Sequence, residues 1–332
     1  MAAHQLRRWI GGLAAFAALA TLSTACSSGS SAGGAGAGGG QTVKVAVLPA
    51  SLSVPVYLAI EQGYFKAEGL DVSATQVANA AAAVPLVTSG EVQFGLGNII
   101  PFILARSKGL PLKMVVSTDV YSGDPSNDPI AMVVKKGSSI TKPADLVGKN
   151  VGLLALKAGP ELVTRTWLNK AGVDANTVKF VQLSGAAEIS ALESGSIDAA
   201  YMFEPFVTQA LQQGDTVLAN PASKEQPGVT DGVAVATESY LSQNPSVATK
   251  FAAAMVKAGD YANAHPDAVR DVLSRYFKIA PDLLKTLKLG VFAGTTQQAA
   301  LAESLTSTAQ LMTQDGWMSV APKAQDLVWS TK

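Results

Sequence analysis

The feature that most constrains this chain is an internal echo at an interval of roughly 105 residues. Gly152-Leu153-Leu154 repeats the apolar run Val43-Lys44-Val45-Ala46-Val47. Ala171-Gly172-Val173-Asp174 repeats Glu68-Gly69-Leu70-Asp71, and Leu192-Glu193-Ser194-Gly195-Ser196-Ile197-Asp198 repeats Val87-Thr88-Ser89-Gly90-Glu91-Val92-Gln93. Three matched points in one order, with the shared step of Ser-Gly, one variable residue and then Val or Ile, predict two similar α/β lobes.

Short β-rich runs alternate with amphipathic segments along both units, the signature of an α/β chain. Residues 43–47 read as a strand, after which Ser53 suits an N-cap and Pro55 the first turn of a helix whose Val56, Ala59 and Ile60 share a face. Gly63 and Gly69 close that helix and its turn, and residues 71–77 form the next strand. Polar, Gly/Pro-rich stretches at 119–129 and 219–228 bracket the second unit, so the chain is expected to cross twice between lobes. Helical periodicity in 245–264, 266–278 and 295–316 predicts helices that pack back on the first lobe. The expected domains are a first lobe at 42–122, a second at 129–221, and a return to the first at 229–332.

The first 25 residues stand apart. His4, Arg7 and Arg8 precede an acid-free apolar run from Trp9 to Leu22, fourteen residues against the ~20 a spanning helix needs, and this reads as a secretory signal. Leu22-Ser23-Thr24-Ala25 then leads into Cys26, the single cysteine, which is the expected site of lipidation. The commonest lipoprotein pattern places Leu three residues before the cysteine, where this chain has Ser23. A lone cysteine excludes an intramolecular disulfide. Residues 26–41 are nearly all Ser, Gly and Ala, too poor in apolar surface to fold, and read as a flexible tether.

Setting Arg7 and Arg8 aside leaves 23 basic against 25 acidic residues, and no run of like charge stands out. Nucleic acid is therefore not an expected partner. After the signal His265 is the one histidine, in the polar stretch Asn263-Ala264-His265-Pro266-Asp267. Without a second histidine or a free cysteine, His-based triads, Cys nucleophiles and the usual zinc sites lack their side chains, so neither catalytic residues nor a metal or other cofactor is expected.

Several segments together resemble the nitrate, taurine, alkanesulfonate and thiamine-precursor family of ABC transporter substrate-binding proteins. They are Pro55-Val56-Tyr57-Leu58-Ala59 through Gly63-Tyr64-Phe65 to Glu68-Gly69-Leu70, then residues 89–101, Lys108-Gly109-Leu110-Pro111-Leu112-Lys113 and Asp145-Leu146-Val147-Gly148-Lys149. Residues 194–205 and Asn244-Pro245-Ser246-Val247 follow. The resemblance implies a two-lobed periplasmic-binding-protein-like fold of type II, with two parallel-rich sheets flanked by helices and an interlobe cleft. It implies an extracytoplasmic solute-binding protein, which the signal and Cys26 would anchor by lipid on the outer face of the cell membrane. This protein would be a monomer that captures a small anion or zwitterion of the sulfonate, nitrate or taurine kind and delivers it to the permease and ATPase subunits. The alternative ligand is a thiamine-pyrimidine precursor or an aromatic compound.

Parallel sheets bind ligands beyond the carboxyl ends of their strands, where helix N-termini expose backbone amides. Four loops qualify: Ser51, Leu52 and Ser53 after the first strand; Asn79 and Ala80 after the second; Asn98; and Lys157, Ala158 and Gly159 before the helix opened by Pro160. Helix N-termini facing one cleft favour an anionic group. The resemblance places Glu204, before Pro205, at the cleft, where its carboxylate would accept from an amine or ring N–H or else cap the next helix. Tyr121 and Tyr201 stand near the crossings and could stack on a planar ligand or pack in the core. Two other classes compete. A thiamine-pyrimidine synthase on this fold depends on clustered histidine and a cysteine-rich motif, and a sensing domain requires a fused signalling or membrane segment. Neither feature is expected here.

Overall fold

The computed structural model describes residues 40–330. The chain lays down β1 (Gln41–Val47), β2 (Leu70–Gln76), β3 (Phe94–Asn98) and β4 (Leu112–Val120), then crosses to a second sheet built from β5 (Ile130–Val134), β6 (Asn150–Leu153), β7 (Lys179–Gln182), β8 (Ala199–Phe203) and β9 (Thr216–Ala219). It returns to the first sheet with β10 (Thr230–Thr237) and β11 (Val291–Phe292). The strand orders are β11-β4-β10-β3-β1-β2 and β7-β6-β8-β5-β9. Apart from β11, they match position by position, which is the sequence echo expressed as topology. The helices Ala80–Ser89 and Gly185–Ser194 are both ten residues long, and each ends on a glycine in the left-handed region, Gly90 at φ 78° and Gly195 at φ 75°.

In each sheet three strands are parallel, β2-β1-β3 and β7-β6-β8, and the strands beyond them antiparallel. The reason lies in the crossings. A strand that has just crossed starts at the edge where its neighbour ends, so Ile130 pairs with Phe203 and Gly232 with Asn98. The crossings themselves are tied together: Tyr121 N–H donates to Val229 O at 2.9 Å and Gly228 N–H to Tyr121 O at 2.9 Å. Asp128 on the first crossing accepts from Ser223 Oγ on the second at 2.6 Å and from Ile130 N at 3.0 Å.

Both sheets are covered on both faces. Alternation along β1 sends Val43, Val45 and Val47 to one face and Ala46 to the other. The first face packs helices Val54–Glu61, Pro245–Ala264 and Pro266–Phe277, and the second packs Ala80–Ser89, Ile99–Ser107 and Leu301–Gln314. The ring of Phe251 lies between Phe65 at 5.3 Å and Phe94 at 3.9 Å. The helix expected at 245–264 has those bounds; that expected at 295–316 breaks into Thr295–Gln298 and Leu301–Gln314. A turn at Ser51–Ser53 precedes Val54–Glu61, and Ser53 does not cap with its side chain: its Oγ accepts from Leu48 N at 3.0 Å. No helix among the described residues is long and apolar enough to cross a membrane. Cys26 and the signal lie outside the described residues.

Candidate functional site

A cavity of about 280 Å³ lies at the crossings. Its walls come from the loop after β1, from both sides of the β4–β5 crossing, from the loop after β8, and from the segment that runs from helix Pro266–Phe277 to β11. Phe203, Phe206, Phe277 and Phe292 supply an aromatic lining. Four carboxylates, Asp119, Asp128, Glu204 and Asp231, share it with one ammonium, Lys288.

The four carboxylates differ in what they have left to give. Both oxygens of Asp128 accept, as described above. Glu204 is likewise engaged: Oε2 accepts from Thr208 N at 3.0 Å, and Oε1 accepts from Thr208 Oγ1 at 2.9 Å and from Lys288 N at 3.4 Å. Glu204 stands one residue beyond β8 and Asn98 is the last residue of β3, and both side chains accept from the helix that follows. Asn98 accepts from Ile100 N at 3.0 Å.

Asp231 and Asp119 are different. Asp231 Oδ1 accepts from Tyr121 Oη at 2.7 Å and also from Asn98 Nδ2. No hydrogen bond from the described residues reaches its Oδ2, so one oxygen is fixed from behind and the other is left for the cavity. Asp119, beside it across the β4–β10 pairing, accepts from Thr118 Oγ1 at 3.2 Å. Burial pushes the Asp231 carboxyl up to about 6, against the pull of the Tyr121 and Asn98 hydrogen bonds. Burial, and then the charge of Asp231, lift Asp119 well above the usual carboxylate range. Burial also raises Glu204 and Asp128. Tyr121 is pushed far above the phenol range, first by burial and then by Asp231, so it stays a donor.

Of the residues singled out from the sequence, Ser51, Tyr121 and Glu204 line this cavity, and the others do not. Leu52 and Ser53 are buried in the first lobe's core. Asn79 is exposed and caps its helix through Ala82 N at 3.0 Å, and Ala80 packs beneath Gly97. Lys157 is exposed, in a left-handed conformation at φ 49°, with its N–H donated to Glu161 Oε2 at 2.7 Å. Ala158 is the half-buried N-cap residue of helix Gly159–Lys170. Asn98 stands behind Asp231, and Gly159 abuts Asn98. Tyr201 is wholly buried in the second lobe's core, its Oη without a partner among the described residues. His265 does not line the cavity: its ring stacks on Tyr261 at 3.9 Å.

Sequence reasoning missed Asp119, Asp128, Asp231 and Lys288. The signal for Asp231 was a lone carboxylate at the head of the apolar strand Gly232-Val233-Ala234-Val235-Ala236, just after the second crossing.

The chain is 29% identical over 238 residues to the formylaminopyrimidine-binding protein of Halalkalibacterium halodurans, covering 70% of each. It is 28% identical over 229 residues to the taurine-binding periplasmic protein of Escherichia coli, covering 68% of this chain and 69% of that one. Among solved structures, the periplasmic aliphatic sulphonate binding protein SsuA from Escherichia coli superposes with a TM-score of 0.73 over 88% of this chain and 93% of that one, at 17% identity, a likeness of fold. The family model described as NMT1/THI5 like matches residues 51–269, and the chain, with its two matched sheets and crossing-side cavity, belongs to that family.

Proposed function

We propose that this protein is the extracytoplasmic solute-binding component of an ABC importer, and that it encloses a small solute carrying N–H donors, a cation or a zwitterion, between its lobes. The carrying observation is the charge of the cavity. A second negative charge about 4 Å from a carboxylate costs roughly 4 kcal/mol at an effective dielectric near 20. A helix N-terminus returns about 0.3 to 1 kcal/mol, so helix ends alone do not offset a carboxylate-lined wall. A solute with an ammonium, amidine or amino group meets the open oxygen of Asp231, and the aromatic lining covers its apolar part. The relatives that bind taurine and formylaminopyrimidine support this reading, since both of those solutes carry nitrogen donors. A binding role is favoured over synthase chemistry because the cavity wall offers carboxylates, aromatics and one lysine but no histidine or cysteine.

Thermal shift against matched solutes tests this. Taurine and formylaminopyrimidine are set against ethanesulfonate and nitrate, which lack the amine. A solute at a hundredfold excess over its Kd stabilises the folded state by about 2.7 kcal/mol. At least one donor-bearing solute is expected to raise the melting temperature. A response confined to ethanesulfonate or nitrate would reverse the ligand class.

The anchor is part of the same proposal: Cys26 carries the lipid, and the permease and ATPase subunits lie in the membrane beside it. Cys26→Ala is expected to release the protein into the medium and to abolish incorporation of labelled fatty acid. Retention of label and membrane association in that variant would refute the anchor.

A further inference from the structure

Besides the crossings, the second lobe touches the first behind Asp231, at the Asn98–Tyr121 pair, and along helix Leu301–Gln314. Helix Gly159–Lys170 begins at that pair. A Cβ added to Gly159 would stand 2.9 Å from Asn98 Nδ2 and 3.4 Å from Tyr121 Oη. Those two atoms are the donors that hold Asp231 Oδ1. One turn further along the helix, Leu162 is buried among the first lobe's Ile99, Ile100, Leu301 and Leu305. Another turn on, Arg165, paired with Glu161 from the turn before, lies close enough to Asp315, just past helix Leu301–Gln314, to act on its charge. The helix is thus seated on the first lobe at its tip, its middle and its flank.

We propose that Gly159 is the positioning residue of lobe closure: by presenting no side chain, it lets the second lobe seat directly on the Asn98–Tyr121 pair that orients Asp231. Closure and the aim of the cavity carboxylate then become one event. The backbone of Gly159 has an ordinary φ, so alanine meets no conformational objection there, and its effect comes from contact alone. At 2.9 Å the new methyl forces a shift, and the Asn98 amide is not free to give, since its Nδ2 donates to Asp231 and its Oδ1 accepts from Ile100 N. The shift therefore falls to the lobe, which stands off. Seating also buries the Leu162 side chain, so a stand-off at the tip withdraws apolar surface one turn away.

The inference rests on the two-lobed capture reading. Its test is made with no solute added, so a failed solute screen and a failed Gly159 inference are told apart. Spin labels at the exposed positions Lys108 and Lys179, one on each lobe, report the interlobe distance by pulsed dipolar spectroscopy in the full chain carrying Cys26→Ser. Gly159→Ala is expected to lengthen the distance by several ångströms, with Gly159→Val lengthening it further. Asn98→Ser combined with Gly159→Ala removes the amide that the new methyl meets and is expected to bring the distance back toward the parent value. A general loss of stability would not produce that rescue. Should Gly159→Ala fail to fold, Asn98→Gln pushes the amide toward Gly159 from the first lobe and is expected to open the lobes likewise. A distance distribution in a folded Gly159→Ala that superimposes on the parent overturns the proposal. So does an opened distribution that Asn98→Ser leaves unchanged.

Discussion

Replacing Glu188 by Gln is expected to stabilise the protein against unfolding by about 3 kcal/mol at pH 7 and by almost nothing at pH 4. Glu188 sits in the first turn of helix Gly185–Ser194 and is 1% exposed, and its Oε1 has no partner among the described residues. It packs beside Gly152 and near the apolar cluster that holds Ile189, Ile197 and Ala200. With no cation to meet it, burial pushes its carboxyl from 4.5 up to about 8.

The sign follows from where the proton is held. The folded chain keeps it up to about pH 8, whereas the unfolded chain releases it near 4.5. Below 4.5 both forms are protonated and Glu188 costs the fold no charge. Between the two values each pH unit weakens the native state by about 1.4 kcal/mol. Gln carries no ionisable proton but leaves the same unpaired polar atom that the protonated acid does, so only the ionisation cost is removed. Urea unfolding of parent and variant from pH 4 to pH 8 should show a gap that opens steadily with pH. A gap that stays constant across that range would mean that Glu188 finds a partner or water in solution.

Features decided by near neighbours in sequence were the more legible ones, with the Ser53 cap and the break in 295–316 as exceptions. The helices that open at Pro160, Pro245 and Pro266 are decided within one or two turns of chain. The echo between the units was legible for the same reason, as two copies of one local grammar. The cavity was harder to read because its chemistry is assembled across the crossings. Tyr121 and Asp231 are separated by 110 positions in the chain and meet because β4 pairs with β10. Lys288 and Phe277 arrive from a segment with no strand signal before β11. Loops beyond the parallel strands were the natural place to look, and they contribute Ser51 and Glu204. The walls between them come from antiparallel returning strands, which a rule for parallel sheets does not address. Lys157, whose charge suggested an anion contact, lies apart from the cavity in an exposed loop, its backbone N–H donated to Glu161.

The distinction between engaged and open carboxylates yields the sharpest expectation for the site. Asp231→Asn should weaken a donor-bearing solute, with taurine as the first probe, by about tenfold to a hundredfold, the ~1.5 to 3 kcal/mol of a charged hydrogen bond. The direction is forced by the donors behind the residue. Tyr121 Oη and Asn98 Nδ2 both demand an acceptor, so the asparagine oxygen stays with them and its NH₂ turns toward the cavity, opposing the donor of the solute. In the parent protein the carboxylate is charged above about pH 6 and gains a proton below it, so affinity for a cation or zwitterion should fall as pH drops through that value. Asp231→Asn removes that component of the profile. Glu204→Gln is the matched comparison, since its oxygens are occupied by Thr208 and Lys288; it should lose stability by about 1 kcal/mol, as a damaged cap does, with the smaller change in Kd. Titration calorimetry of the three proteins between pH 5 and 8 ranks them. If Glu204→Gln loses more affinity than Asp231→Asn, or if the parent profile is flat near pH 6, then the solute is held from the second lobe and Asp231 serves the hinge alone.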